Sequence, residues 1–317
     1  QECIRTLFSN SVTKPTELLV VDDGSKPELK EGLWQFHKNN AKHFPSHFIS
    51  FSHNQGLGNN WELVWNYIKA REFEYVAQIE QDYVFRKSAM DEAMEVMRTM
   101  PHALGLSLYS NPDYYQFWKT EVLYPEVMLD SFPYDPCPRH TYHKPFEIET
   151  NLGKIQIQNS SNSCGTFLLN WRRIKRLLDK YPEMWYQVFE RAFHKHMPHK
   201  RKGAHDGIFT SGLSFYFYKD CLERKRNGEE IDLSRHAPWI DVCDYSLSNH
   251  INGGEDSLNG KTIKEMETFV SSPKWSWNTQ EEYDNFDRNA PNKIFVPPIV
   301  PTPETKLDSI KAVTNVE

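Results

Sequence analysis

The hydrophobic pattern switches along the chain between short continuous apolar runs and longer stretches with a period near that of a helix. Residues 17–23 (ELLVVDD) are a leucine and valine run that ends on two aspartates. Such a run predicts a strand buried on both faces, and Asp22-Asp23-Gly24-Ser25 predicts the turn that closes it. Residues 26–39 predict a helix with Leu29, Leu33 and Phe36 on its inner side, and residues 47–52 (HFISFS) a second short strand. In residues 60–71, Trp61, Val64, Trp65 and Ile68 fall at i, i+3, i+4 and i+7, the stripe of a helix packed on a sheet. Residues 75–82 (YVAQIEQD) predict a third strand. Strand, helix, strand, helix, strand with connections of this length predicts parallel crossovers. The expected fold is α/β with a mostly parallel central sheet flanked by helices.

Further along, residues 87–100 predict a helix with Met90, Ala93, Met94 and Met97 inward, and residues 104–109 a strand. Residues 111–145 are rich in Pro, Tyr and Asp and predict an extended insertion over the sheet. Short strands are expected at 155–157, 164–169 and 240–245, with helices at 171–180 and 208–226. The division that follows is a main domain over 1–255 and a C-terminal extension over 256–317 carrying the Pro-rich strap VPPIVPTPE. The opening QECIRTLFSN reads as the second half of a helix. A doubly wound domain places a strand ahead of such a helix, so the expected first strand precedes residue 1.

Composition narrows the class. With 37 Lys and Arg against 43 Asp and Glu the formal net charge is −6, so nothing global attracts nucleic acid or an anionic membrane. No apolar run approaches the ~20 residues of a transmembrane helix. The five cysteines, Cys3, Cys137, Cys164, Cys221 and Cys243, are odd in number and none are spaced as CxxC. Neither a disulfide framework nor a zinc site is suggested, and a reducing, cytoplasmic setting is expected.

Candidate chemistry sits at the strand ends. Residues i and i+2 of a strand share a face, so Glu80 and Asp82 point the same way if the third strand reaches Asp82. Ligands of open α/β sheets bind at the C-terminal ends of the strands. An acidic pair there suits Mg²⁺ or Mn²⁺, the alternative being two solvated carboxylates. The loop from His53 to Asn60 carries Asn54, Gly56 and Gly58. Its glycines let backbone N–H groups approach a phosphate, or simply make a turn. The absence of GxGxxG after a strand disfavours a dinucleotide dehydrogenase. Asp206 precedes a long helix, as a cap or as a catalytic base. Residues 191–202 (RAFHKHMPHKRK) form the basic cluster, for phosphates or an acidic acceptor, with His194, His196 and His199 as metal candidates and a solvated loop as the plain reading.

The order of these pieces resembles the GT-A fold of nucleotide-sugar glycosyltransferases, and within it the inverting family 2, over about residues 1–255. VDDGS is the most specific piece. EQD resembles the family's DxD with Glu80 in the first position. The usual acidic pair before the later helix is here His205-Asp206. The resemblance implies that Asp22 or Asp23 contacts the base and ribose of the donor, with Asn54, Gly56 and Asn60 also on the nucleotide side and Glu80 facing the ribose. It implies that Asp82 and His250 hold Mn²⁺ or Mg²⁺ and that Asn162, Ser163, Gly165 and His205 lie near the sugar and acceptor. Asp206 is then the general base of an inverting transfer. The implied donor is a nucleotide sugar, most simply a UDP-sugar, and the acceptor a glycan, a protein or modified DNA. A non-catalytic nucleotide- or glycan-binding module on the same fold, and a nucleotidyltransferase, stay open as alternatives.

Overall fold

The computed structural model of the chain describes residues 2–9, 11–40, 45–81, 83–85, 88–109, 145–160, 163, 165–190, 192–193, 205–232, 236–242 and 247–250. The first half runs α1 (Glu2–Ser9), β1 (Leu18–Asp22), α2 (Pro27–Asn40), β2 (Ser46–Ser50), α3 (Leu57–Lys69), β3 (Tyr75–Gln78), β4 (Tyr83–Phe85), α4 (Ala89–Thr99) and β5 (Gly105–Ser107). The second runs β6 (Phe146–Thr150), β7 (Gly153–Ser160), β8 (Phe167–Asn170), α5 (Trp171–Lys180), a π-helical turn (Trp185–Glu190), α6 (His205–Arg226), β9 (Trp239–Val242) and β10 (Ser248–His250). The expected insertion up to residue 144, the basic cluster apart from the buried Ala192 and Phe193, the C-terminal extension, Asp82 and Asn162 lie outside the described residues.

The main sheet has six strands in the order β3-β8-β5-β9-β7-β6. The expectation of a mostly parallel sheet is corrected here. Only β5 and β9 run parallel; the other four pairings are antiparallel. β8 is the reason. It is the return leg of the long excursion after β5, and it inserts antiparallel between β3 and β5. The parallel crossover predicted for the first two strands is present, with Leu18 to Asp22 in register with Ser46 to Ser50. Those strands form a separate two-stranded sheet, so β1 is half-buried from Leu18 to Val21 and not enclosed on both faces. Leu29, expected on the inner side of α2, is exposed.

The period-two alternation of the strands splits the core into two layers. Leu104, Phe167, Leu169 and Trp239 face a layer made by α3, α5, the π-turn and α6. Leu106, Leu168, Ile240 and Val242 face the opposite layer with α4 and α1. Trp61, Trp65 and Ile68 of α3 are core residues, as their spacing predicts. Trp239 crosses Gly105 so closely that a Cβ there would meet its ring at 2.3 Å. Its indole N–H donates to Ser214 Oγ at 3.1 Å, tying α6 to the sheet. No described helix is long and apolar enough to cross a membrane.

A buried histidine supports the small sheet. The His37 ring on α2 lies against Trp34 and Phe48, with Ser46 Oγ 3.2 Å from both ring nitrogens. Burial, and then the proximity of His47, lower its pKa from 6.5 to about 4. The unfolded chain therefore binds the extra proton first, so this contribution is complete above pH 6.5 and lost as pH falls toward 4. Urea unfolding is expected to show a loss on the order of 3 kcal/mol across that window. His37→Gln should flatten it, and an unchanged acid limb in that variant would contradict the assignment.

Candidate functional site

Two loops carry the residues expected on the nucleotide side. β1 ends on Asp22, which is buried and accepts hydrogen bonds from Ser50 Oγ at 2.7 Å and Ser25 N at 3.3 Å. Burial opposes its charge, but the bonds from Ser25 and Ser50 and the nearby Lys30 outweigh burial and hold its pKa below the usual value. Asp23 turns the other way. Its carboxylate accepts from Gln55 N at 2.6 Å and Gly56 N at 3.1 Å, clamping the loop ahead of α3. Gly24, at φ 75°, lets the two loops touch, since a Cβ there would lie 2.2 Å from the His53 carbonyl carbon. Asn54 Oδ1 also accepts from Gly56 N, at 2.9 Å. The glycine loop therefore spends two of its N–H groups on Asp23. Asn60, in the first turn of α3, has a buried Oδ1 with no hydrogen-bond partner among the described residues. That oxygen suits a donor group on a ligand or a bound water.

A second cluster forms where α6 meets the chain ahead of β8. Asp206 lies in the first turn of α6, where the helix dipole favours a carboxylate. Its Oδ1 accepts from Gly207 N at 2.8 Å and its Oδ2 from Gly165 N at 3.2 Å. Gly165, at φ 62°, is packed against two further groups. A Cβ there would lie 3.0 Å from Tyr83 Oη and 3.1 Å from Glu80 Oε2. Glu80 and Tyr83, Gly165 and Asp206 thus converge from three separate parts of the sequence. Ser163 is buried beneath them, with its Oγ 2.6 Å from Ser107 Oγ and its carbonyl accepting from Thr210 Oγ1 at 2.9 Å. β3 stops at Gln78, so Glu80 lies beyond the strand, and strand alternation does not set its direction. Its backbone is fixed instead by Thr166, whose Oγ1 accepts from Glu80 N at 3.2 Å, and by Cys3, whose thiol donates to its carbonyl at 3.3 Å.

The two expected metal ligands flank or lie on a short antiparallel pair of strands in the sequence, β4 and β10. β10 places His250 opposite Tyr83, the residue that follows Asp82 in the sequence. The donor set of carboxylate and imidazole is chemically suited to a divalent cation. No cluster of three metal-ligating side chains occurs among the described residues, which include neither Asp82 nor the side chains of His205 and His250. Tyr83, Thr210 and Cys3 escaped the sequence reading. Only the position of Tyr83 directly after EQD hints at its place.

The sequence pattern of glycosyl transferase family 2 matches residues 1–174, more than half of the chain, and the protein belongs to that family. The match covers α1 through the start of α5 and stops before Asp206. Membership carries the GT-A type of α/β fold and glycosyl transfer as the general activity. Comparison with curated proteins and with solved structures gave no significant match.

Asp23→Ala leaves Gln55 N without its acceptor and Gly56 N with only Asn54 Oδ1. The expected cost is about 1–3 kcal/mol in urea unfolding, with faster amide exchange at Gln55 and Gly56. Asp23→Asn retains one acceptor oxygen and should lose less. Unchanged exchange in Asp23→Ala would rule out the clamp.

Proposed function

We propose that this family 2 enzyme is a divalent-metal-dependent, inverting glycosyltransferase that moves a sugar from a UDP-sugar to an acceptor hydroxyl. The observation that carries the reading is the carboxylate of Asp206 anchored on Gly165 N–H beside Glu80 and Tyr83. Asp206 is the general base. Its two hydrogen bonds from Gly207 and Gly165 use one lone pair on each oxygen, leaving the others for the acceptor hydroxyl. The base takes the hydroxyl proton as the acceptor oxygen bonds to the sugar C1. The C1–O bond to the diphosphate breaks on the opposite face, and its electron pair leaves with the nucleoside diphosphate.

Asp82 and His250 would hold Mn²⁺ or Mg²⁺, which when bound neutralises charge on the departing diphosphate. Asp23, Asn54, Gly56 and Asn60 shape the base and ribose side, while Asp22 keeps the end of β1 in place beneath them. Ser163 and Gly165 line the sugar side, together with Asn162 and His205. The acceptor is a glycan, a protein or modified DNA.

Calorimetry of UDP and GDP, each with and without Mn²⁺, tests the donor class, and UDP is expected to bind only with the metal. Asp82→Asn should remove that binding. Asp206→Asn should bind UDP as wild type does and lose transfer by roughly a hundred-fold or more, the scale of a lost general base. Full transfer in Asp206→Asn would overturn the base assignment. Nucleotide binding without sugar release would point to a binding module, and pyrophosphate release to a nucleotidyltransferase.

A further inference from the structure

Resting on the reading of the chain as a nucleotide-sugar transferase, we propose that Glu80 and Tyr83 contact the transferred sugar and determine which sugar is accepted. The position of Glu80 in the family-like triplet assigns it to the ribose. Its side chain lies beside Gly165. Glu80 Oε2 and Tyr83 Oη both close over Gly165, 3.1 and 3.0 Å from the point a Cβ would occupy. The N–H of that same glycine donates to Asp206 at 3.2 Å. A base that deprotonates the attacking hydroxyl has to sit beside C1. The sugar's own hydroxyls are a few bonds from C1, whereas the ribose lies beyond the whole diphosphate. A carboxylate that shares one glycine with the base therefore belongs to the sugar.

The chemistry of the two groups fits hydroxyl recognition. An ionised carboxylate only accepts hydrogen bonds, and a phenol both donates and accepts. An O–H donated to a carboxylate is among the stronger neutral-to-charged contacts. Tyr83 is buried, with its ring edge-on to Tyr109 at 5.5 Å, so its hydroxyl is held in one place. Glu80 is half-buried. Gly165 makes the arrangement possible twice over. It is at φ 62°, where a side chain is strained, and any Cβ would crowd both polar groups. A site built to bond a hydroxyl discriminates strongly against a sugar that presents none there.

The test is calorimetry in Mn²⁺ with UDP, UDP-glucose, UDP-galactose and UDP-N-acetylglucosamine on wild type, Glu80→Gln and Tyr83→Phe. Wild type is expected to prefer one sugar nucleotide over the others. Both variants should bind UDP within about two-fold of wild type, while the preference falls about ten-fold in Glu80→Gln and several-fold in Tyr83→Phe. Retained UDP binding also reports that the variants are folded. Equal weakening of UDP and all the UDP-sugars in Glu80→Gln would return Glu80 to the ribose and overturn the proposal. Unchanged preference in both variants, or a wild type that binds the UDP-sugars alike, would overturn it too. A wild type that binds none of the nucleotides fails earlier, and would remove the nucleotide-sugar reading together with this assignment.

Discussion

Trp65 of α3 stacks on Phe209 of α6 with ring centroids 4.8 Å apart, and the relative placement of the two halves of the site depends on that contact. α3 carries Gly56 and Asn60 at its head, and α6 carries Asp206 three residues before Phe209. Trp61, one residue after Asn60, meets the edge of the same Phe209 ring at 5.4 Å. Trp171 of α5 and Phe189 of the π-turn close around Trp65 at 5.9 and 5.6 Å. Removing one such ring typically costs about 3–5 kcal/mol, a large share of the ~5–15 kcal/mol by which a domain is stable. The packing overrides polar satisfaction. The indole N–H groups of Trp65 and Trp171 and the hydroxyl of Tyr218 are buried without partners among the described residues. Burial, and then the nearby Cys221, push the Tyr218 phenol far above its ordinary pKa, so it stays neutral. A rigid apolar joint between α3 and α6 is what such a site requires, because a catalytic base is useful only at a fixed distance from the donor.

The elements legible in the sequence are those with a strong period. The stripe Trp61, Val64, Trp65 and Ile68 identified α3 and its buried face, and α5 occupies the predicted residues 171–180. Strand direction was not legible. Period-two alternation marks which side chains face the core and carries no sign along the chain, so β8 reads alike in either direction. The strand-helix-strand rhythm suggested parallel neighbours throughout, and it holds for β1 and β2. It fails where a long excursion ends with a strand inserted between β3 and β5. β4 and β10, each of three residues, are too short to show a period, yet their pairing brings His250 to the residue after Asp82.

Of the site, the residue types were legible and their partners were not. The pair Asp22-Asp23 was recognised as one acidic motif, but the two carboxylates do different work. Asp22 turns under the sheet edge to Ser50 and Ser25, whereas Asp23 reaches across to the loop ahead of α3. Consecutive residues at a strand end point to opposite sides, which divides one motif into a support and a clamp. Gly24 permits the division by admitting the backbone of His53 and Asn54 into the space of a side chain. Gly165 was similarly legible only as a glycine near the sugar. Its contacts with Glu80, Tyr83 and Asp206 span more than a hundred residues of sequence, and no local pattern encodes them.

The glutamate at the first position of the acidic triplet is then a matter of reach. The backbone of Glu80 is held on one side by Thr166 Oγ1 and on the other by the Cys3 thiol. α1 is itself pinned, since Thr6 Oγ1 accepts from Phe85 N at 3.0 Å in β4. With the backbone fixed at both ends, the side-chain length decides where the carboxylate arrives. An aspartate at this position is shorter by one carbon–carbon bond, about 1.5 Å, and its oxygens would stop short of Gly165. The glycine is the complementary half of the same device: it removes the Cβ that would hold the longer side chain away. Glu80 and Gly165 are thus matched in size, and shortening Glu80 alone moves a carboxylate relative to Asp206 without touching Asp206 itself.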